Sequence, residues 1–109
     1  MSQNKPKRQY RDRIQITADI LEIARGGSRK TRIMYLGNLS FDLVQKYLVQ
    51  VEKLGLVEVK DGPGGERVYY LTRKGEEFLA DFKELQRHAE IVDDKKQVLE
   101  NVLDFRVKG

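Results

Sequence analysis

Two polar side chains spaced four residues apart, Lys46 and Gln50, are candidates for binding nucleic acid. Residues at positions i and i+4 share one face of a helix. A lysine ammonium suits phosphate oxygens or guanine acceptors, and a glutamine amide suits adenine. Asp42, one turn earlier, favours the start of a helix but would repel a phosphate unless it accepts a hydrogen bond from a cytosine amine. This spacing indicates contact with phosphates or base edges.

The sequence shows no combination of side chains that is typical of an enzyme. Cysteine is absent, which excludes thiolate nucleophiles, thiolate metal sites and disulfides. His88, the single histidine, has no neighbouring partner for metal or base chemistry, and Asp93 with Asp94 lacks a third metal ligand nearby and reads better as a helix N-cap. Residues 26–31 follow a helix rather than a strand, unlike a phosphate-binding loop. We therefore predict no catalytic activity, no metal and no cofactor.

Charge is distributed unevenly along the 109 residues, a length that predicts one domain. The net charge is +4, from 21 Lys and Arg against 17 Asp and Glu. Residues 1–60 hold 12 basic and 6 acidic side chains, whereas residues 61–109 hold 9 basic and 11 acidic ones. The basic first half favours a polyanionic partner, most simply nucleic acid, and the second half suggests another role such as assembly.

The N-terminal ten residues are polar and basic and contain a proline, which predicts a flexible arm. Its charges and those just after it could follow a DNA groove or backbone, or could only increase solubility. The candidate arm contacts are Lys7, Arg8, Arg11 and Arg13. Because no apolar run reaches about 18 residues and no signal peptide is evident, we expect a cytoplasmic protein without a membrane partner.

Apolar residues at spacings of three and four, including Ile14, predict a first helix from about Arg11 that ends at Gly26 and Gly27. Ser28 is predicted to cap a short second helix over residues 29–36.

A tight turn follows at residues 37–38. Ser40 is predicted to cap a third helix over residues 41–54, with Val44, Leu48 and Val51 facing inward and Gly55 ending it. The outward face of this helix then carries Asp42, Leu43, Lys46, Val49, Gln50 and Lys53.

After Gly55 the periodicity changes from helical to about two. Residues 57–59 alternate, residues 61–65 form a concentrated turn signal, and residues 67–71 are β-branched and aromatic. This pattern predicts a two-stranded hairpin.

Thr72 is predicted to cap a long last helix with an apolar stripe. The stripe is longer than a small domain can cover, so self-association into a homodimer is expected. Lys96 interrupts it, either as a register-setting residue of a coiled coil or at a break between two helices near Asp93. The stripe consists of Phe78, Phe82, Leu85, Ala89, Val92, Leu99 and Leu103.

This order of elements predicts a mainly α (α+β) fold, a winged helix-turn-helix with a two-stranded wing and a long C-terminal coiled-coil helix. We expect an arm over residues 1–10, a winged-helix domain over residues 11–75 and a helical dimerisation extension over residues 76–109.

Four short segments of the sequence are typical of one protein family: KTRIMY at residues 30–35, NLSF at 38–41, LGLV at 54–57 and YLTRKGEEFL at 70–79. Together with Tyr47 and Leu48, they resemble the archaeal winged-helix proteins typified by the small Sulfolobus 10a nucleoid proteins. The resemblance implies a double-stranded DNA-binding domain, a C-terminal helix that pairs antiparallel with its twin, and a nucleoid location. The DNA contacts that it implies are Lys30, Arg32, Gln45, Lys46, Gln50 and Arg67.

Three functions stay open at this point. A transcriptional regulator would discriminate bases through the third helix, whereas an architectural chromatin protein would bridge or bend DNA with little sequence preference. A protein-interaction module without DNA binding would instead use Leu43, Tyr47 and Val49 as an exposed apolar anchor. No small-molecule ligand is evident.

Overall fold

The computed structural model describes residues 11–108, with side chains described as far as Leu103. The predicted arm residues Lys7 and Arg8 therefore lie outside the described part. The elements are α1 (Arg13–Ala24), β1 (Ser28–Arg29), α2 (Lys30–Gly37), α3 (Phe41–Lys53), β2 (Val57–Asp61), β3 (Arg67–Leu71) and α4 (Arg73–Lys108). The chain divides into two compact units, one up to Leu79 and one from Ala80 onward. Within residues 11–108, no helix combines the length and the apolar character that crossing a membrane requires.

The core of the first unit is built mainly from the three short helices. Its largest fully buried side chains are Ile20 and Leu21 of α1, Ile33 of α2, and Val44 and Val51 of α3. Each contributes about 1.5–3 kcal/mol relative to an exposed position. The predicted inward face of α3 is thus confirmed.

The burial of two side chains bears on the interpretations made from the sequence. Ile14, part of the apolar pattern that predicts the first helix, is 47% exposed at the start of α1. Tyr47 is buried on α3, so it cannot serve as the exposed apolar anchor of a protein-interaction module.

Side-chain caps fix where α1, α3 and α4 begin. The Asp12 carboxylate accepts a hydrogen bond from the Gln15 amide at 2.9 Å, and the Ser40 hydroxyl accepts one from the Leu43 amide at 3.2 Å. The Thr72 hydroxyl accepts one from the Gly75 amide at 3.0 Å. Each bond satisfies an amide that has no partner within its helix, and the predicted caps at Ser40 and Thr72 are confirmed.

The antiparallel sheet has three strands, in the order β1-β3-β2. The predicted hairpin is β2 and β3, paired from Val57 with Leu71 to Asp61 with Arg67. The additional strand β1 pairs Ser28 with Tyr69 and Arg29 with Val68. Ser28 was predicted to cap α2, but its hydroxyl instead donates to the Ile23 carbonyl at 2.8 Å. A two-residue strand has no periodicity of its own and forms only through pairing with a distant segment.

The first turns of α4 belong to the first unit. Leu79 is buried there, and Gly75 lies so close to Leu56, the residue before β2, that a Cβ atom would overlap the Leu56 carbonyl oxygen. The Thr72 hydroxyl donates to the Gly55 carbonyl at 2.6 Å, which ties the start of α4 to the turn after α3.

In the second unit, α4 continues without interruption to Lys108. The break considered near Asp93 is therefore absent, and Asp93 and Asp94 lie inside the helix rather than at an N-cap. Asp93 and Lys96 are three positions apart, a spacing that is compatible with a helix interior. Apolar side chains on this part of the helix are exposed in the single chain, namely Leu85, Ile91, Val92, Val98, Leu99, Val102 and Leu103.

Candidate nucleic-acid interface

The outer face of α3 presents a row of exposed polar side chains. Gln45, Lys46, Gln50 and Lys53 are all exposed, and Val49 among them is 54% exposed. They are exposed because the opposite side of the helix supplies the buried Val44, Leu48 and Val51. An α-helix with such a free face has the dimensions that the major groove of B-DNA admits.

Lys30, the first residue of α2, reaches onto the face of α3. Its ammonium donates a hydrogen bond to the Gln45 side-chain oxygen and lies 4.6 Å from the centroid of the Phe41 ring. A cation over an aromatic face is attracted by the negative face of the ring. The structure thus brings two sequence-predicted residues, Lys30 and Gln45, into direct contact across 15 positions of the chain.

A groove of about 560 Å³ separates α3 from the strands. Two ion pairs lie along it. The Arg67 guanidinium is 3.2 Å from the Glu52 carboxylate, and the Arg29 guanidinium is 3.7 Å from the Glu66 carboxylate. Lys30, Gln45 and Arg67 line this groove together.

Arg32 lies in a different place from the other predicted contacts. It lines a second groove, of about 860 Å³, between α2 and the wing, together with Tyr35 and Pro63. Tyr35 is 83% exposed, the most exposed of the four tyrosines at positions 35, 47, 69 and 70. Lys46 and Gln50 belong to neither groove lining and stand on the outer face of α3.

Arg11 does not extend away from the fold as an arm residue would. Its guanidinium contacts the Asp19 carboxylate at 2.7 Å and donates to the Asn38 carbonyl at 3.2 Å. The first bond joins Arg11 to α1, and the second joins it to the turn after α2. Arg11 is thus bonded within the first unit, and Arg13 is the exposed first residue of α1. The contact of either residue with DNA stays a prediction.

Sequence reasoning missed three features of this surface. Arg29 carries one of the groove ion pairs, Phe41 holds Lys30, and Lys60 lies 5.3 Å from the centroid of the Tyr70 ring. The basic run at residues 29–32 was a usable signal for Arg29. Its position in the groove, however, depends on β1, which only the pairing with β3 reveals.

Metal binding has no candidate position in the described part of the chain. Among those residues, no group of three His, Asp or Glu side chains is arranged to hold an ion.

Comparison with known proteins gives a consistent family. Residues 10–90 match the family model described as winged helix-turn-helix. The structure is similar to that of Sso10a-2, a DNA-binding protein from Sulfolobus solfataricus, with 26% identity and a TM-score of 0.77 over 85% of this chain and 97% of that chain. This similarity confirms the resemblance seen in the sequence.

Two bacterial structures also match. A MarR family transcriptional regulator from Silicibacter pomeroyi is 25% identical, with a TM-score of 0.61 over 89% of this chain and 71% of that chain. MepR, a transcription regulator of the Staphylococcus aureus multidrug efflux pump MepA, is 14% identical with a TM-score of 0.63, over 83% of this chain and 75% of that chain, and shows the shared fold alone. No curated protein matches the chain. With 81 of its 109 residues inside the family match, the chain belongs to the winged helix-turn-helix family.

Proposed function

We propose that this chain binds double-stranded DNA, with α3 in the major groove and the wing on the flanking backbone. The observation that carries the proposal is the free face of α3, where Gln45, Lys46 and Gln50 are exposed and Lys30 is drawn onto the same face. The winged-helix fold presents its third helix to DNA in this way. The similarity to a protein described as DNA-binding supports the same function.

The proposed contacts fall into two chemical groups. Lys30, Arg32 and Arg67 carry positive charge on the first unit and would position the domain by neutralising phosphates. Gln45 and Gln50 can donate and accept hydrogen bonds together, which is what reading an adenine edge requires. Lys46 suits either a phosphate or guanine acceptors.

The proposed assembly is a homodimer formed through α4. Four residues of the predicted stripe, Leu85, Val92, Leu99 and Leu103, are between 54% and 65% exposed in the single chain. Monomeric proteins rarely leave so many large apolar side chains of one helix in water. Pairing with a second copy would cover them and give each particle two DNA-binding units.

Two roles are compatible with this proposal, a transcriptional regulator and an architectural protein of the nucleoid. The similar structures include a regulator from Silicibacter pomeroyi and the DNA-binding Sso10a-2. A nuclease footprint separates the roles, because a regulator protects one site whereas an architectural protein covers the duplex without a boundary. A preference of about 10³-fold for one genomic fragment would assign the regulator role.

The direct test of DNA binding is the double variant Arg32→Ala/Lys46→Ala, measured by fluorescence anisotropy with a random duplex over a salt series. Losing two phosphate contacts should weaken binding about 10-fold or more at low salt and reduce the slope of log affinity against log salt by about 2.

The matched control is Arg87→Ala, which removes an exposed positive charge from the second unit. Its affinity should stay close to that of the parent protein. Unchanged affinity of the double variant, or no binding of the parent protein at low salt, would overturn the proposed function.

A further inference from the structure

The groove beside α3 contains acidic side chains where a DNA-binding surface would be expected to be basic. Arg29, Lys30 and Arg67 line it, but so do Glu52 and Glu66. A carboxylate facing a phosphate is repelled, so these two residues reduce the attraction of this surface for any nucleic acid. We therefore ask whether Glu52 and Glu66 stabilise the fold or influence binding.

The acidic side chain of Glu52 does not stabilise the helix to which it belongs. It is the penultimate residue of α3, where the helix dipole makes a negative charge unfavourable. Its structural partner is Arg67 on β3, 15 residues away, with the guanidinium and the carboxylate 3.2 Å apart. The favourable interaction of Glu52 is therefore its ion pair with Arg67, and not an interaction with its own helix.

Glu66 stands in the same relation to Arg29. The Arg29 guanidinium lies 3.7 Å from the Glu66 carboxylate, and the Glu66 side chain is 29% exposed, lower than the other three members of the two pairs. Its carboxylate lies over the wing tip, in the space that side chains at Gly62 and Gly64 would otherwise occupy. The glycines of the wing thus leave room for an acidic group that faces a basic one.

Neither ion pair is sealed from water. The Arg67, Glu52 and Arg29 side chains are 58%, 42% and 65% exposed, so their mutual attraction is weak and open to exchange. A DNA phosphate, which matches the guanidinium fork at least as well as a carboxylate does, can take over either arginine. The displaced carboxylate then remains close to the DNA backbone.

We propose that Glu52 and Glu66 are internal competitors of DNA phosphate, which hold Arg67 and Arg29 in the groove and lower the affinity for DNA of every sequence. The base contact proposed for Gln50, which lines neither groove, is not subject to this competition. The two carboxylates therefore raise the share of the binding free energy that depends on sequence. This inference rests on the proposed DNA-binding function.

The test is Glu52→Gln, which keeps the shape of the side chain and removes its charge. Affinity for a random duplex at low salt should rise about 3- to 10-fold, with a salt slope steeper by up to about 1, because Arg67 becomes fully available to a phosphate. Glu66→Gln should act in the same direction through Arg29. Thermal unfolding of each variant confirms that it is folded.

The control is Glu22→Gln, which breaks an equivalent exposed ion pair outside the groove. Glu22 lies 3.1 Å from Arg25, with both side chains exposed to a similar degree. Its hydrogen bond and its charge raise the pKa of the Arg25 guanidinium. We expect no change in DNA affinity beyond twofold, as is usual for a remote surface charge.

A double-mutant cycle separates competition for Arg67 from a general loss of negative charge. In an Arg67→Ala background, Glu52→Gln should give a clearly smaller gain, because no guanidinium remains to be released. An equal gain in both backgrounds would overturn the competitor role of Glu52. An unchanged or lower affinity of both Gln variants, with the parent protein binding DNA, would overturn the inference while leaving the proposed function intact.

Discussion

Gly75 is a residue of the first unit at which an added side chain would collide with backbone. It lies in the first turn of α4, and a Cβ there would overlap the carbonyl oxygen of Leu56 and the side chain of Leu71. The carbonyl cannot easily move, because it accepts the hydrogen bond from the Thr72 amide at 3.1 Å. This contact sets how closely the start of α4 packs against Leu56 and Leu71.

We therefore predict that Gly75→Ala destabilises the protein by about 1–3 kcal/mol in denaturant unfolding, through overpacking. The sign is diagnostic, because Gly→Ala inside a helix otherwise stabilises by about 0.5–1 kcal/mol. Gly64→Ala is the control, since its Cβ would meet only the flexible Glu66 side chain. Equal stability of the Gly75 variant and the parent protein would contradict the predicted overlap.

At the scale of single residues, the exposure of side chains could be predicted from the sequence better than the contacts between them. The exposed positions of Lys46 and Gln50 followed from helical spacing alone, because burial of one face determines the other. The bonds of Arg11 to Asp19 and Asn38 were not predictable, since they depend on how α1 packs against the turn after α2. The DNA contacts themselves stay predictions.

At the scale of elements, α3 depends on the residue that begins it. The Ser40 hydroxyl accepts from the Leu43 amide, and Asp42 places a negative charge in the first turn, where the helix dipole favours it. These local interactions orient the helix that carries the proposed base contacts.

Replacing this cap gives a second stability prediction. Ser40→Ala should lower the free energy of unfolding by about 1 kcal/mol, because the Leu43 amide loses its acceptor. Ser40→Asp should retain the parent stability, since a carboxylate caps equally well. Chemical denaturation of the three proteins measures both effects, and an Asp variant as unstable as the Ala variant would show that the cap is not the cause.

Elements with local signals were predictable, and those made by distant pairing were not. The caps at Ser40 and Thr72 and the hairpin turn were visible because each is encoded within a few residues. Strand β1 was missed because a segment of two residues shows no periodicity. In addition, a serine at position 28 is equally typical of a helix cap. The continuity of α4 through Asp93 remained open because charge pairs inside a helix and a helix start use the same residue types.

At the scale of the whole molecule, the main feature is the row of apolar side chains that the second unit exposes in the single chain. Leu99 is 65% exposed, and it lies seven residues from Val92 and fourteen from Leu85 on the predicted stripe. Seven-residue spacing on a helix is typical of a seam between helices. Dimerisation through this seam stays a prediction.

We predict that Leu99→Glu converts the proposed dimer into a monomer at micromolar concentration, because a charge in the proposed seam would be buried without a partner. Multi-angle light scattering measures the change in mass. Asn101→Glu, at an exposed position off the stripe, adds the same charge and should remain a dimer. If both variants have the mass of the parent protein, α4 does not form the interface.

For the proposed DNA-binding dimer, the exposed stripe of α4 also determines how DNA occupancy responds to the amount of protein in a cell. Where two copies must join through this helix to bind a double site, the active species grows with the square of total chain concentration below the dimer dissociation constant. Doubling expression would then raise occupancy about fourfold at subsaturating levels, so that a modest change in synthesis becomes a sharper change in DNA coverage.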